Sequence, residues 1–148
     1  GGQWSVWEST YGPVGVDGFP QPIWDQVTGE INKDVAEYWK ENYDLNYILQ
    51  KNWEELGPKI ARDVHVAVGD MDNYYLNEAV YLLKNAMEKM ENPVSDMTFD
   101  FGPNQGHGWK GWSPTKPNVA LANEEWLEQL SNYMIEHAPE NANKNWIY

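Results

Sequence analysis

The sequence predicts an α/β fold, a β-α-β-α unit with parallel strands preceded by a Gly/Pro-rich loop and two helices, and three segments carry that expectation. Val64-His65-Val66-Ala67-Val68 is β-branched, nearly uncharged and followed by Gly69, the composition of a short strand covered on both faces of a parallel sheet. Leu76, Val80, Leu83, Met87 and Met90 then recur at helical spacing until Glu91-Asn92-Pro93. Met97-Thr98-Phe99-Asp100-Phe101 reads as the next strand, closed by Gly102-Pro103. A helix between two strands is the connection that parallel neighbours require.

The remaining elements follow in order. Residues 1–30 hold the run Tyr11-Gly12-Pro13-Val14-Gly15-Val16-Asp17-Gly18-Phe19-Pro20-Gln21-Pro22, and the expectation is a structured loop with aromatic anchors. Residues 31–58 form a helical segment: Asn32 caps a first helix carrying Val35, Tyr38 and Trp39, and Asp44 caps a second carrying Leu45, Ile48, Leu49, Trp53 and Leu56, stopped at Gly57-Pro58. The β-α-β-α part spans 59–139 and ends in a helix from about Ala120 to His137, with Leu121, Leu127, Leu130 and Met134 on its apolar side. A polar tail fills 140–148.

Bulk composition excludes several function classes. A net charge of −13 and a pI near 4.4 argue against nucleic acid and against an anionic membrane surface, because both repel such a chain. The absence of cysteine removes disulfides, thiolate nucleophiles and cysteine-based metal sites. No apolar run approaches the ~18 residues of a membrane span, and Gly1-Gly2-Gln3-Trp4 has neither the basic start nor the apolar stretch of a signal peptide. Gly1 reads as the scar of a tag on a cut chain, so localisation stays open, a secreted or periplasmic parent included. Nine tryptophans and nine tyrosines require either a heavy aromatic core, the weightier reading, or a stacking surface for sugars and phenolic rings.

Chemistry points to two residues. Asp72 follows the first strand in Gly69-Asp70-Met71-Asp72, and His107 follows the second in Gly106-His107-Gly108-Trp109. Parallel pairing would bring both loops to the carboxyl edge of the sheet, where functional groups of open α/β sheets gather. A carboxylate there can accept Nδ1–H of the imidazole, fixing its tautomer, while Nε2 serves as general base.

In these two loops, their order and the helix that follows, the chain resembles the C-terminal portion of the α/β-hydrolase fold, and within it the feruloyl and polyhydroxybutyrate esterases. The resemblance covers about 60–139 and implies an ester hydrolase working through a covalent acyl-enzyme, with Asp72 as orienter and His107 as general base and then acid. It implies no cofactor and no metal, and a small-molecule or polysaccharide-linked ester as substrate. Trp109 and Trp112 become candidate walls of the substrate pocket. One departure is decisive: Ser5, Ser9, Ser95, Ser113 and Ser131 all lie outside any Gly-x-Ser-x-Gly elbow. The nucleophile and the oxyanion donors are therefore expected outside this chain, which alone should be inactive.

Blander roles compete. Asp72 can cap the helix that begins beside it, at about half the weight of the catalytic role. Asp70 is the alternative acid but reads better as a turn residue, His65 as a hydrogen-bonded core or interface histidine, and His137 as a complement to a helix C-terminus. Trp39, Trp53 and Trp126 fall in helical patterns and are expected in the core. Calcium at Asp70, Asp72, Asn73 and Glu78 fails on spacing, because Tyr74 and Tyr75 occupy positions that need a ligand and a glycine. An exposed strand edge, or an uncovered sheet face, further predicts a homodimer. The rival function is a non-catalytic module holding a polysaccharide on its tryptophans.

Overall fold

After Gly1-Gly2 the next glycine or proline of the N-terminal stretch is Gly12, and residues 3–11 contain neither. The computed structural model, which describes residues 2–143, accordingly has a helix α1 over Gln3–Tyr11 where a loop was expected, closed by the Gly12 N–H donating to the Glu8 carbonyl at 2.8 Å. Most of these nine residues are weak helix formers, so the helix rests on its aromatic contacts, Trp4 on Trp24 and Trp39 and Tyr11 on Trp39, and turn chemistry takes over afterwards.

Helix α2 spans Lys33–Tyr43, with Asn32 Oδ1 accepting from the N–H groups of Asp34 and Val35 as its cap. The second expected helix is two: α3 over Leu45–Lys51, capped by Asp44, and α4 over Trp53–Ile60. The chain breaks at Asn52, and Gly57-Pro58, expected to end the helix, lies inside α4. The reason is packing. A Cβ on Gly57 would fall within 2.8 Å of the Trp53 ring and 2.9 Å of Pro93 Cδ, so glycine serves close approach there and not chain termination. Trp53 itself is buried and donates Nε1–H to the Pro93 carbonyl at 2.9 Å.

Strand β1 (His65–Gly69) and strand β2 (Thr98–Gly102) pair in parallel, joined through helix α5 (Leu76–Met87), and helix α6 (Asn123–Glu136) closes the described chain. The protein thus mixes helix and strand around a small parallel two-stranded sheet. The register runs from His65↔Thr98 to Gly69↔Gly102, so Val66, Val68, Phe99 and Phe101 share one face. Tyr81 of α5 stacks on Phe101 there, with centroids 4.5 Å apart. His65, Ala67, Thr98 and Asp100 share the other face, which is polar.

The chain divides into two units, 1–63 with 85–96 and 64–84 with 97–148. In the first, Val35, Trp53, Ala86 and Met87 are buried, and Val35 and Met87 are only 1% exposed. In the second, Val68, Met97, Trp109 and Leu121 are buried. Trp126, expected in the core, is 41% exposed because α6 buries none of its residues. Among the described residues no helix is long and apolar enough to cross a membrane.

Candidate active site

Because β1 and β2 end level at Gly69 and Gly102, the segments that follow leave from the same sheet edge. Backbone bonds lace them together: Asp70 N–H donates to Gly102 O at 3.0 Å and Met71 N–H to Gln105 O at 2.9 Å. Asp70 adds a side-chain tie, its Oδ1 accepting from Asn104 N–H at 2.6 Å. This is the turn role read for Asp70, and it is engaged away from the imidazole. Gly69 permits the crossing, since a Cβ there would collide with the Gln105 carbonyl and Gly106 O.

The lacing brings together the two residues singled out in the sequence. Asp72 is 5% exposed; its Oδ1 accepts Tyr74 N–H at 2.7 Å and its Oδ2 lies 2.9 Å from His107 Nδ1. An ionised carboxylate only accepts, so Nδ1 carries the proton of this bond, and in the neutral ring Nε2 is the nitrogen with the lone pair. Burial pushes the Asp72 carboxyl up, but the His107 hydrogen bond, the N–H groups of Tyr74 and Leu76 and the attraction of the imidazole outweigh it and hold the group below its usual range. Asp72 does structural work as well, since Tyr75 N–H donates to its carbonyl at 3.0 Å just before α5 begins.

His107 is half-exposed, and among the described residues its Nε2 has no hydrogen-bond partner. The Tyr74 ring meets the imidazole edge-on, with centroids 4.8 Å apart and planes at 81°. Gly108, at φ +84°, turns the chain immediately after the histidine. The dyad is thus held from one side by a buried carboxylate and flanked by an aromatic ring, while about half of the His107 side chain is exposed.

Tyr74 and Asn104 were not singled out from sequence. Tyr74 acts through its backbone N–H and its ring together, and Asn104 through its N–H alone, at a left-handed φ of +57°. The signal for Asn104 was the turn-prone Pro103-Asn104, and for Tyr74 its place two residues after an Asp, where an Asx turn donates back.

The two tryptophans behind His107 differ. Trp109 is buried against Gly102, where a Cβ would approach its ring to 2.6 Å, so it is core packing. Trp112 stands edge-on to it at 5.6 Å and is 40% exposed. Ser113 is buried, but its hydroxyl donates to Glu125 Oε1 at 2.7 Å as part of the anchoring of α6, and it makes no bond to His107. Glu125 is held below the usual carboxylate range by Ser113, the Ala122 N–H and Thr115.

His65 is hydrogen-bonded as expected, its Nδ1 2.6 Å from Thr98 Oγ1, but its side chain is exposed and not in a core, because it sits on the polar sheet face beside Asp100. His137 caps the end of α6 through Nδ1 to the Tyr133 carbonyl at 2.9 Å, the helix-end role read from its position. Among the described residues no three carboxylate or imidazole groups converge where a metal ion could be held.

Comparison with known proteins returned no matching family model, no matching curated relative and no matching solved structure.

Proposed function

We propose that Asp72 and His107 are the acid–base arm of a serine ester hydrolase of α/β-hydrolase type, whose nucleophile and oxyanion donors come from polypeptide outside this chain. The observation that carries this reading is the 2.9 Å Nδ1–Oδ2 bond between residues 35 positions apart, with Nε2 directed to no protein partner among the described residues. The parallel strand pair, with each functional residue on the loop after its strand, supports the same reading.

In the proposed reaction, the serine hydroxyl gives its proton to His107 Nε2 as its oxygen attacks the ester carbonyl. Asp72 orients the ring and stabilises the imidazolium, and His107 then returns the proton to the departing alcohol. Water repeats the sequence on the acyl-enzyme. The substrate class is an ester of a modest acyl or aromatic acid, small or attached to a polysaccharide.

The direct test is the imidazole tautomer, read by nitrogen NMR at neutral pH. Protonated Nδ1 with unprotonated Nε2 in the native chain, lost in Asp72→Asn, is the expected result; a ring protonated mainly on Nε2 has no base to offer and sinks the proposal. The chain alone should turn over p-nitrophenyl acetate only at the background rate. In a polypeptide that also carries the nucleophile, Asp72→Asn should lower kcat about 10⁴-fold.

A further inference from the structure

The first unit contains an aromatic arrangement that the dyad does not use. Trp24 lies flat on Trp4, with centroids 4.5 Å apart and planes at 7°, and Trp4 stacks in turn on Trp39 at 6.0 Å. Trp7 and Tyr11 pack edge-on against Trp4 and Trp39 respectively. Trp24 is therefore the outer member of a braced stack, and it remains 41% exposed.

Trp24 also lines an open surface depression of about 260 Å³, together with Pro22, Asp25, Glu30, Ile31 and Asn32. Its wall is built from a hairpin-like loop that locks itself. Trp24 and Ile31 form an antiparallel bridge, Asp25 N–H donates to Glu30 O at 2.8 Å, and Asn32 N–H donates to Ile23 O at 2.8 Å. Asp25 Oδ1 accepts the N–H groups of Val27 and Thr28, both at 2.8 Å, which keeps its carboxyl ionised and fixed in direction. Asn32 commits its oxygen to capping α2, which leaves its amide N–H₂ as the donor that can face a ligand.

We propose that this depression binds one ring of a neutral carbohydrate. An aromatic face flanked by aliphatic walls covers the C–H face of a pyranose, while two carboxylates accept from its hydroxyls and an amide donates to them. Both kinds of hydrogen-bonding group are needed for hydroxyls, whereas a cationic ligand would have no use for the Asn32 donor. The volume lies just under the ~300–1,000 Å³ of pockets for drug-sized ligands, which suits a single ring with the rest of a chain outside. The charge of −13 disfavours anionic polysaccharides. The inference stands independently of the Asp72–His107 reading, which involves the other unit.

The test is titration calorimetry, with tryptophan fluorescence in parallel, using cellohexaose and xylohexaose on the intact chain. Saturable binding of at least one, weakened about tenfold or more by Trp24→Ala and left unchanged by Trp126→Ala, is the expected result. Should Trp24→Ala disrupt the stack and unfold the unit, Glu30→Ala decides the matter, because it removes an acceptor without touching the aromatic core; a severalfold loss is expected. No binding of either oligosaccharide, binding indifferent to both variants, or saturable binding of tetramethylammonium in place of the sugars overturns the proposal.

Discussion

Asp72 is engaged by both of its oxygens, and this sets how it responds to acid. With its carboxyl held below the ordinary value of about 3.9, the folded state binds that proton less readily than the unfolded chain does. The stability it contributes is therefore fully present above about pH 4 and is lost as pH falls through the depressed native value. Urea unfolding from pH 7 to pH 2 should show the native chain and Asp72→Asn separated by a constant margin down to about pH 4 and converging below it. Convergence beginning near pH 6 would mean that the carboxylate is not held in this way. The dyad's two members were legible because they follow successive strands of a parallel pair, and because a histidine between two glycines has few structural reasons to sit there. Tyr74 was not, because a ring edge has no signature in the one-letter sequence and its N–H had only the common one of a place two residues after an Asp.

Among the elements, the loop crossing at the sheet edge is the part that geometry constrains most. Gly69→Ala places a methyl group against the Gln105 carbonyl, which is backbone and cannot swing aside. The substitution should cost about 1–3 kcal/mol, the range for overpacking, and should shift the His107 ring resonances in the same sample. A stable variant with an unmoved His107 would show that the loops are not locked at this point. The helices depend instead on local caps. Asn32→Ala removes the acceptor for two α2 N–H groups and should lower stability by about 1 kcal/mol, measured by thermal or urea unfolding, whereas Asn32→Gly should cost only a few tenths. The Asn32 and Asp44 caps were readable because capping is a contact between near neighbours. The division of the second helix at Asn52 was not, because it follows from seating Trp53 and Gly57 against Pro93, some 40 residues away.

For the molecule as a whole, two strands make a small sheet, and among the described residues each has an outer edge without a strand beside it. Strand β1 has no charged residue from Val66 to Gly69 to deter further pairing, while β2 carries Asp100. Self-association through β1 is expected, opposed by a charge of −13 on each copy. Light scattering at micromolar concentration should therefore report more dimer at ~0.5 M salt than at ~0.02 M, because screening shortens the repulsion. A monodisperse monomer at both salt concentrations would count against pairing through this edge.

The order of elements from β1 to α6, the caps of α2 and α3 and the pairing of Asp72 with His107 are properties of local pattern, and the sequence by itself determined them. Alternation, helical spacing and turn residues act over a few positions, and a parallel register then carries two loops to one edge without further information. Only the tertiary structure decided that residues 3–11 form a helix under a stack of tryptophans, that Gly57 serves packing, that Trp109 is core while Trp126 is exposed, and that Ser113 is committed to Glu125. Each of these depends on which distant side chain fills the adjacent space, and that is a matter of volume and contact that no short-range pattern encodes.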